Sequence, residues 1–336
     1  MIECREALLD SEIELVRQFL ASQDLTLDKN LDTTLYLSEN SKIIGTISKS
    51  KSVIKCVAVD DSYKGENLTG MLLNKIVEKM NLENIYSYQL FTKPKYEQLF
   101  KSLGFNLIAK GTDAIILEKG IYDIYSTIEN MKKDIVNNLG PINPTSNIGA
   151  IVMNANPFTL GHQYLIEEAS KRHDKVIVFL LSEDLSEFSF EERMSLAYLG
   201  TSRFENVYIV PSSIYMVSNL TFPQYFIKDE SKKNMAAAEL DAIIFKDYFM
   251  KFLYIKKRYV GSETKDYMVQ YNNILKSILK DDLVEIKRIE NNENVVSASL
   301  VRSLLKDNKI DEALKYLPHE SHSIVRLLAL KKYGKF

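Results

Sequence analysis

The chain has 336 residues, 46% of them hydrophobic and 26% charged, with 12 glycines and 7 prolines. That length fits two domains, each able to bury its own core, and the composition excludes a disordered or fibrous chain. With 43 basic and 45 acidic side chains the net charge is −2, which gives no bulk pull toward nucleic acid or an anionic membrane.

In chain order, the opening MIECREALLD lacks the basic-then-apolar layout of a signal peptide. A helix starts at Ser11, with apolar Ile13, Val16, Phe19 and Leu20 on one side. Strands are predicted over 34–37, 42–48 and 54–59, then a helix over 68–80, a strand over 85–91, a helix over 95–103 and a strand over 114–117. These make a mixed sheet. Cys4 and Cys56 are too few and too isolated for a disulfide framework, and with four scattered histidines they give no zinc spacing, so a reducing cytoplasm is expected. Residues 137–147, NNLGPINPTSN, collect the turn formers expected of a linker, which sets domains at 1–136 and 148–336.

The second half alternates more cleanly. Strands over 148–153, 175–181 and 207–210 are separated by helices over 162–172 and 189–202. A helix over 235–255, strands over 258–260 and 283–286, and helices over 299–307 and 310–316 follow. The pattern is α/β with a Rossmann-like parallel sheet, which binds ligands at the carboxyl ends of its strands. The uncharged stretch 207–227 has the length of a membrane span, but Pro211, Pro223, Asn219 and four Ser or Thr residues make it a buried pocket wall instead.

Residues 154–162, NANPFTLGH, stand where the first of these strands hands over to a helix. The first amides of a helix lack partners and the dipole is positive there, so a phosphate fits that end. Gly161 permits close backbone approach, Pro157 fixes the turn, and His162 can donate a hydrogen bond or positive charge to phosphoryl oxygens. The same pair also reads as an ordinary helix boundary with a capping histidine. Downstream, residues 295–305, VVSASLVRSLL, hold a second helix start, with Ser297 or Ser299 as cap and Arg302 one turn on from Ser299. That suits outgoing phosphates, and equally suits a capped helix with a surface arginine.

Together these residues resemble the nucleotidyltransferase superfamily with His-x-Gly-His and Ile-Ser-x-Thr-x-x-Arg signatures. Thr159 replaces the first His and Ser299 the usual Thr. The resemblance implies phosphate contact for Arg193, otherwise a solvated helix residue, and an adenosine-side turn at Gly261, Ser262 and Glu263. Over 148–331 the chain is similar to the citrate lyase ligase family, on VMNANPFTLGHQYLIEEA, SFEERMSLAYLG, VPSSIYMVSNLTFPQYFIK, RYVGSETKDYMVQYN and SASLVRSLL.

That resemblance implies an AMP-forming acid–thiol ligase using ATP and Mg2+. Acetate becomes acetyl-adenylate, then passes to the thiol of the dephospho-CoA-derived group on the citrate lyase carrier subunit. His162, with Thr159 beside it, would meet the α-phosphate; Ser297, Ser299 and Arg302 the β- and γ-phosphates; Asn156, Pro157, Phe158 and the 261–263 turn the nucleoside. The uncharged stretch would form a dry acyl pocket. The same motifs also serve an adenylyltransferase acting on a phosphate-bearing cofactor precursor, and a third reading is a non-catalytic nucleotide sensor.

In the first half, 56–73, CVAVDDSYKGENLTGMLL, and 90–105, LFTKPKYEQLFKSLGF, resemble the GCN5-related acetyltransferases. Lys64 and Gly65 fit the phosphate turn of that fold, whereas Asn67 and Thr69 stand where small residues are usual. The expectation is an acetyltransferase-like domain that docks the coenzyme arm rather than acetyl-CoA, contacted by Lys64, Gly65 and Asn67, with turnover of acetyl-CoA left open by the sequence.

Overall fold

A computed structural model describes residues 1–63, 65–182, 186–217, 222–223, 225–227, 229–288, 290–291 and 294–334, without the side chains of 290–295. The chain packs as two compact units, Met1–Ser126 with Val217–Ile243, and Thr127–Met216 with Ile244–Phe336.

The first unit is built on a seven-stranded sheet: β1 (Glu3–Glu6), β2 (Thr33–Glu39), β3 (Lys42–Ser50), β4 (Val53–Val59), β5 (Ser87–Thr92), β6 (Asn106–Lys110) and β7 (Ile115–Gly120). The order is β1-β2-β3-β4-β5-β7-β6, and the neighbours are antiparallel except β4 and β5. Those two run parallel and pair only at Val53 and Ile54 against Gln89 and Leu90. The helices are α1 (Asp10–Ser22), α2 (Leu68–Leu82) and α3 (Glu97–Ser102). The helical spacing read from the sequence puts Leu68, Leu72, Leu73, Ile76 and Met80 of α2 into the core, together with Leu35, Ile47, Leu90 and Phe100. The expected mixed sheet is present. Strands β1 and β6 escape the pattern because each is short and carries charge or amide side chains at its ends.

The second unit opens within α4 (Ile124–Leu139), whose apolar Ile124, Ile128 and Ile135 recur at helical spacing, so the expected linker begins inside a helix. There follow β8 (Ile148–Met153), α5 (Leu160–Ser170), β9 (Lys175–Leu180), α6 (Phe190–Thr201) and β10 (Val207–Pro211). Next, α7 (Glu230–Ile244) packs with the first unit as far as Ile243 and continues into a π-helical turn over Phe245–Met250. The chain closes with β11 (Ile255–Gly261), α8 (Asp266–Leu279), β12 (Leu283–Ile286), the two-residue strands β13 (Glu290–Asn291) and β14 (Asn294–Val295), α9 (Ala298–Lys306), α10 (Ile310–Leu314) and α11 (His322–Tyr333).

Strands β10-β9-β8-β11-β12 form one wholly parallel sheet. Its central strands, IGAIVM and KVIVFL, are nearly uninterrupted apolar runs because helices cover both faces. From β8 the chain builds outward through β9 and β10, then returns to lay β11 and β12 on the other side. The reversal between β8 and β11 is the topological switch point where such sheets hold ligands.

Part of the uncharged stretch supplies core to the first unit. Phe222, Tyr225 and Phe226 are buried, and Phe222 meets Phe91 edge-on at 5.6 Å. The Tyr225 hydroxyl donates to the Phe91 carbonyl at 2.5 Å, while the Tyr225 carbonyl accepts the Thr26 amide at 2.9 Å. These three aromatics pack in that core, and residues 218–221 and 224 of the expected acyl pocket lie outside the described residues. Among the described residues no helix is long and apolar enough to cross a membrane.

Candidate functional site

At the end of β8 the chain turns through Asn154–Thr159, with a cis bond between Asn156 and Pro157, and enters α5 with Thr159 as its N-cap. The Thr159 amide donates to His162 Nδ1 at 3.0 Å, and the Thr159 hydroxyl lies 2.9 Å from the same nitrogen. A ring nitrogen that accepts from an amide carries no proton of its own. The neutral imidazole is thereby fixed with its proton on Nε2, directed away from the cap as a donor. Burial, with the nearby Arg288 cation, pushes the His162 pKa down to about 4.

His162 thus caps the helix with one nitrogen, as one sequence reading expects, and keeps a donor on the other. Positive charge is not its resting contribution. Thr159, 1% exposed, stands behind the ring as a positioning group. The Leu160 amide is engaged by the Tyr316 carbonyl at 2.9 Å, so the amides at this helix start are less open than the sequence suggests.

Two glycines let the turn pack. A side chain on Gly200 would collide with the Phe158 ring, which is 1% exposed and stacks on His162 at 5.6 Å between centroids. A Cβ on Gly161 would lie 3.2 Å from the Val296 carbonyl. That approach brings the second motif against the first. Ser297 caps α9 by accepting the Leu300 amide at 3.2 Å, so it is the cap and Ser299 is not. Arg302 donates through Nη1 to the Asn156 carbonyl, and its Nη2 is 3.4 Å from the Ser299 hydroxyl. The starts of α5 and α9 therefore share one corner of the sheet, at the carboxyl end of β8.

The turn after β11 closes the other side of the switch point. The Ser262 amide donates to the Ile286 carbonyl at 2.8 Å, and Asn272 Nδ2 donates to the Gly261 carbonyl at 3.0 Å. Arg288 donates to the Ser262 carbonyl at 2.7 Å and pairs with Glu263, whose carboxyl is pushed up by burial against the lowering pull of that cation. Arg288 was not read from the sequence. The signal was there in Lys287–Arg288, a cationic pair directly after a strand of a parallel sheet.

Arg193 is fully buried and not a solvated helix residue. Its Nη1 donates to the Leu181 carbonyl at 2.6 Å and to the Asn154 carbonyl and side chain at 2.9 and 3.0 Å, and its Nε donates to the Phe188 carbonyl at 3.2 Å. It ties together the carboxyl ends of β8 and β9. The Asn156 side chain works alongside it by accepting the Phe188 amide at 3.1 Å.

In the first unit Gly65 has φ +99°, and Asn67 precedes α2 with φ +54°. The Asn67 amide folds over the helix start, its Oδ1 2.5 Å from where a Cβ on Gly70 would sit. The Asn67 side chain therefore crowds the first turn of α2. Lys64 lies outside the described residues.

The histidines should make stability pH-dependent. His173 is buried, within 2.7 Å of Asn147 Oδ1 and 2.9 Å of the Tyr259 hydroxyl, and burial lowers its pKa as it does that of His162. Both are neutral when folded, whereas the unfolded chain takes up protons below about pH 6.5. Their contribution is complete above that value and is lost as pH falls, for His162 between 6.5 and about 4. Urea midpoints at pH 7, 6 and 5 should fall steadily, with His162 contributing on the order of 3 kcal/mol across the full window. A His162→Gln variant with an undiminished acid slope would remove His162 from this effect.

The model of the citrate lyase ligase C-terminal domain matches residues 148–325. A [citrate [pro-3S]-lyase] ligase of Escherichia coli K12 is 33% identical over 313 residues, covering 90% of this chain and 87% of that protein. The chain belongs to the citrate lyase ligase family. A protein of the same name from Klebsiella pneumoniae is 31% identical, covering 94% of this chain and 93% of its own length. A solved GNAT-family acetyltransferase from Staphylococcus aureus Mu50 aligns over 36% of this chain and 100% of its own, at 18% identity and a TM-score of 0.33. As a family member the protein is an acid–thiol ligase.

Proposed function

We propose that the protein activates acetate with ATP as acetyl-adenylate and transfers the acetyl group to the thiol of the dephospho-CoA-derived arm on the citrate lyase carrier subunit, in the cytoplasm. The observation that carries this reading is the convergence of two helix starts at the β8/β11 switch point, with Gly161 against the Val296 carbonyl and Arg302 on the Asn156 carbonyl. The acetate oxygen attacks the α-phosphorus and pyrophosphate leaves. The thiol sulfur then attacks the acyl carbon and AMP leaves.

Such chemistry asks mainly for positioning and charge stabilisation. His162 donates from Nε2 to the α-phosphate as charge builds, held in that tautomer by Thr159. Arg302 and Ser299 hold the leaving pyrophosphate, and Ser297 keeps the helix start that presents them. Gly261–Glu263 and Asn156–Phe158 frame the nucleoside, braced by Arg193 and Arg288. Among the described residues no cluster of three His, Cys, Asp or Glu side chains is disposed to hold a metal. Magnesium, when bound, would lower the charge of the leaving pyrophosphate. Mass spectrometry of carrier protein incubated with this protein, ATP and acetate tests the reading. An acetylated arm thiol with free AMP supports it, and a dinucleotide product would instead show adenylyl transfer.

The first unit is proposed to dock the coenzyme arm near Gly65 and Asn67. Asn67→Gly keeps the left-handed backbone and clears the start of α2. Titration of the full chain with dephospho-CoA should show about threefold tighter binding in this variant, on the scale of one added amide contact. Equal affinity would place the arm elsewhere.

A further inference from the structure

Glu187 lies just before α6, and its carboxylate meets three residues from two other elements of the second unit, accepting from one and pairing with two. The Tyr333 hydroxyl at the end of α11 donates to it, Lys306 Nζ is 3.1 Å away, and Arg302 Nε is 3.4 Å away. Lys306 and Arg302 stand one turn apart on α9, on the same side of the helix. A second clamp fixes the same end of α11, where Lys332 pairs with Glu192 at 2.8 Å. Tyr333 lies beyond residues 148–325, the part matched to the family.

The guanidinium of Arg302 is thus held at two points, Nε toward Glu187 and Nη1 on the Asn156 carbonyl, which leaves Nη2 on the side of the Ser299 hydroxyl. A guanidinium fixed on one edge presents its remaining donors in a set direction, and less rotamer freedom is lost when an anion arrives. We propose that Glu187, locked by Tyr333 of the last helix, is the positioning residue that aims Arg302 at the triphosphate. This rests on the reading of Arg302 as a phosphate ligand. Glu187 touches no reacting atom in this scheme, so its removal affects nucleotide binding and spares the chemical step.

The test is acetate-dependent pyrophosphate–ATP exchange, with KM for ATP and kcat measured separately. Glu187→Gln should raise the KM for ATP about fivefold with kcat within about twofold, and Tyr333→Phe should act in the same direction by about twofold. In an Arg302→Ala background Glu187→Gln should add nothing, because the group it aims is gone. A KM that is unchanged or lowered in both single variants, or a Glu187 effect that persists in full without Arg302, overturns the proposal. An unchanged ATP KM in Arg302→Ala alone would instead sink the phosphate reading on which it stands.

Discussion

Replacing His162 with alanine should lower acetate-dependent pyrophosphate exchange by about two to four orders of magnitude, the range for loss of a positioned donor to developing charge. The fold should survive, since what the helix loses is one cap acceptor for the Thr159 amide and the stacking on Phe158, together about 1–2 kcal/mol. A His162→Asn variant separates the two contributions. Its side-chain oxygen can still accept the Thr159 amide and restore the cap, but no donor stands at the former Nε2 position. Stability should return while exchange stays low. Near wild-type exchange in either variant would remove His162 from the chemistry and leave it a cap.

The second large effect is on stability. Arg193→Met keeps most of the side-chain volume and deletes the guanidinium, leaving the carbonyls of Leu181, Asn154 and Phe188 without that donor in a site closed to water. Removing one partner from such a buried charged network costs about 3–5 kcal/mol. For a unit of this size the melting temperature should drop by about 10 °C. ATP binding should suffer only through that loosening. A variant that melts like wild type but binds ATP far more weakly would return Arg193 to direct phosphate contact.

These two residues show how far the sequence carries. The strand-turn-helix order and the apolar runs of β8 and β9 are legible because a parallel sheet buried on both faces leaves no alternation to misread. Gly161 and His162 stand out by type and place. The carbonyl contacts of Arg193 were not legible, because they depend on strand ends brought together across 39 residues of chain. Arg288 left only the trace of a cationic pair after a strand, and Glu187 was not legible at all. A single charge on a loop gains meaning only when helices such as α9 and α11 bring cations and hydroxyls to it. The uncharged stretch gave a true signal of burial, but hydropathy records that a segment is dry and not which core it enters.

The central claim is that the starts of α5 and α9 grip one triphosphate at the β8/β11 switch point. The most direct measurement is a crystal structure with α,β-methylene-ATP, which cannot be cleaved at the reacting bond. The account predicts His162 Nε2 within hydrogen-bond reach of the α-phosphate and Arg302 on the outer phosphates. A nucleotide seated elsewhere, with His162 and Arg302 still holding only their protein partners, would contradict it.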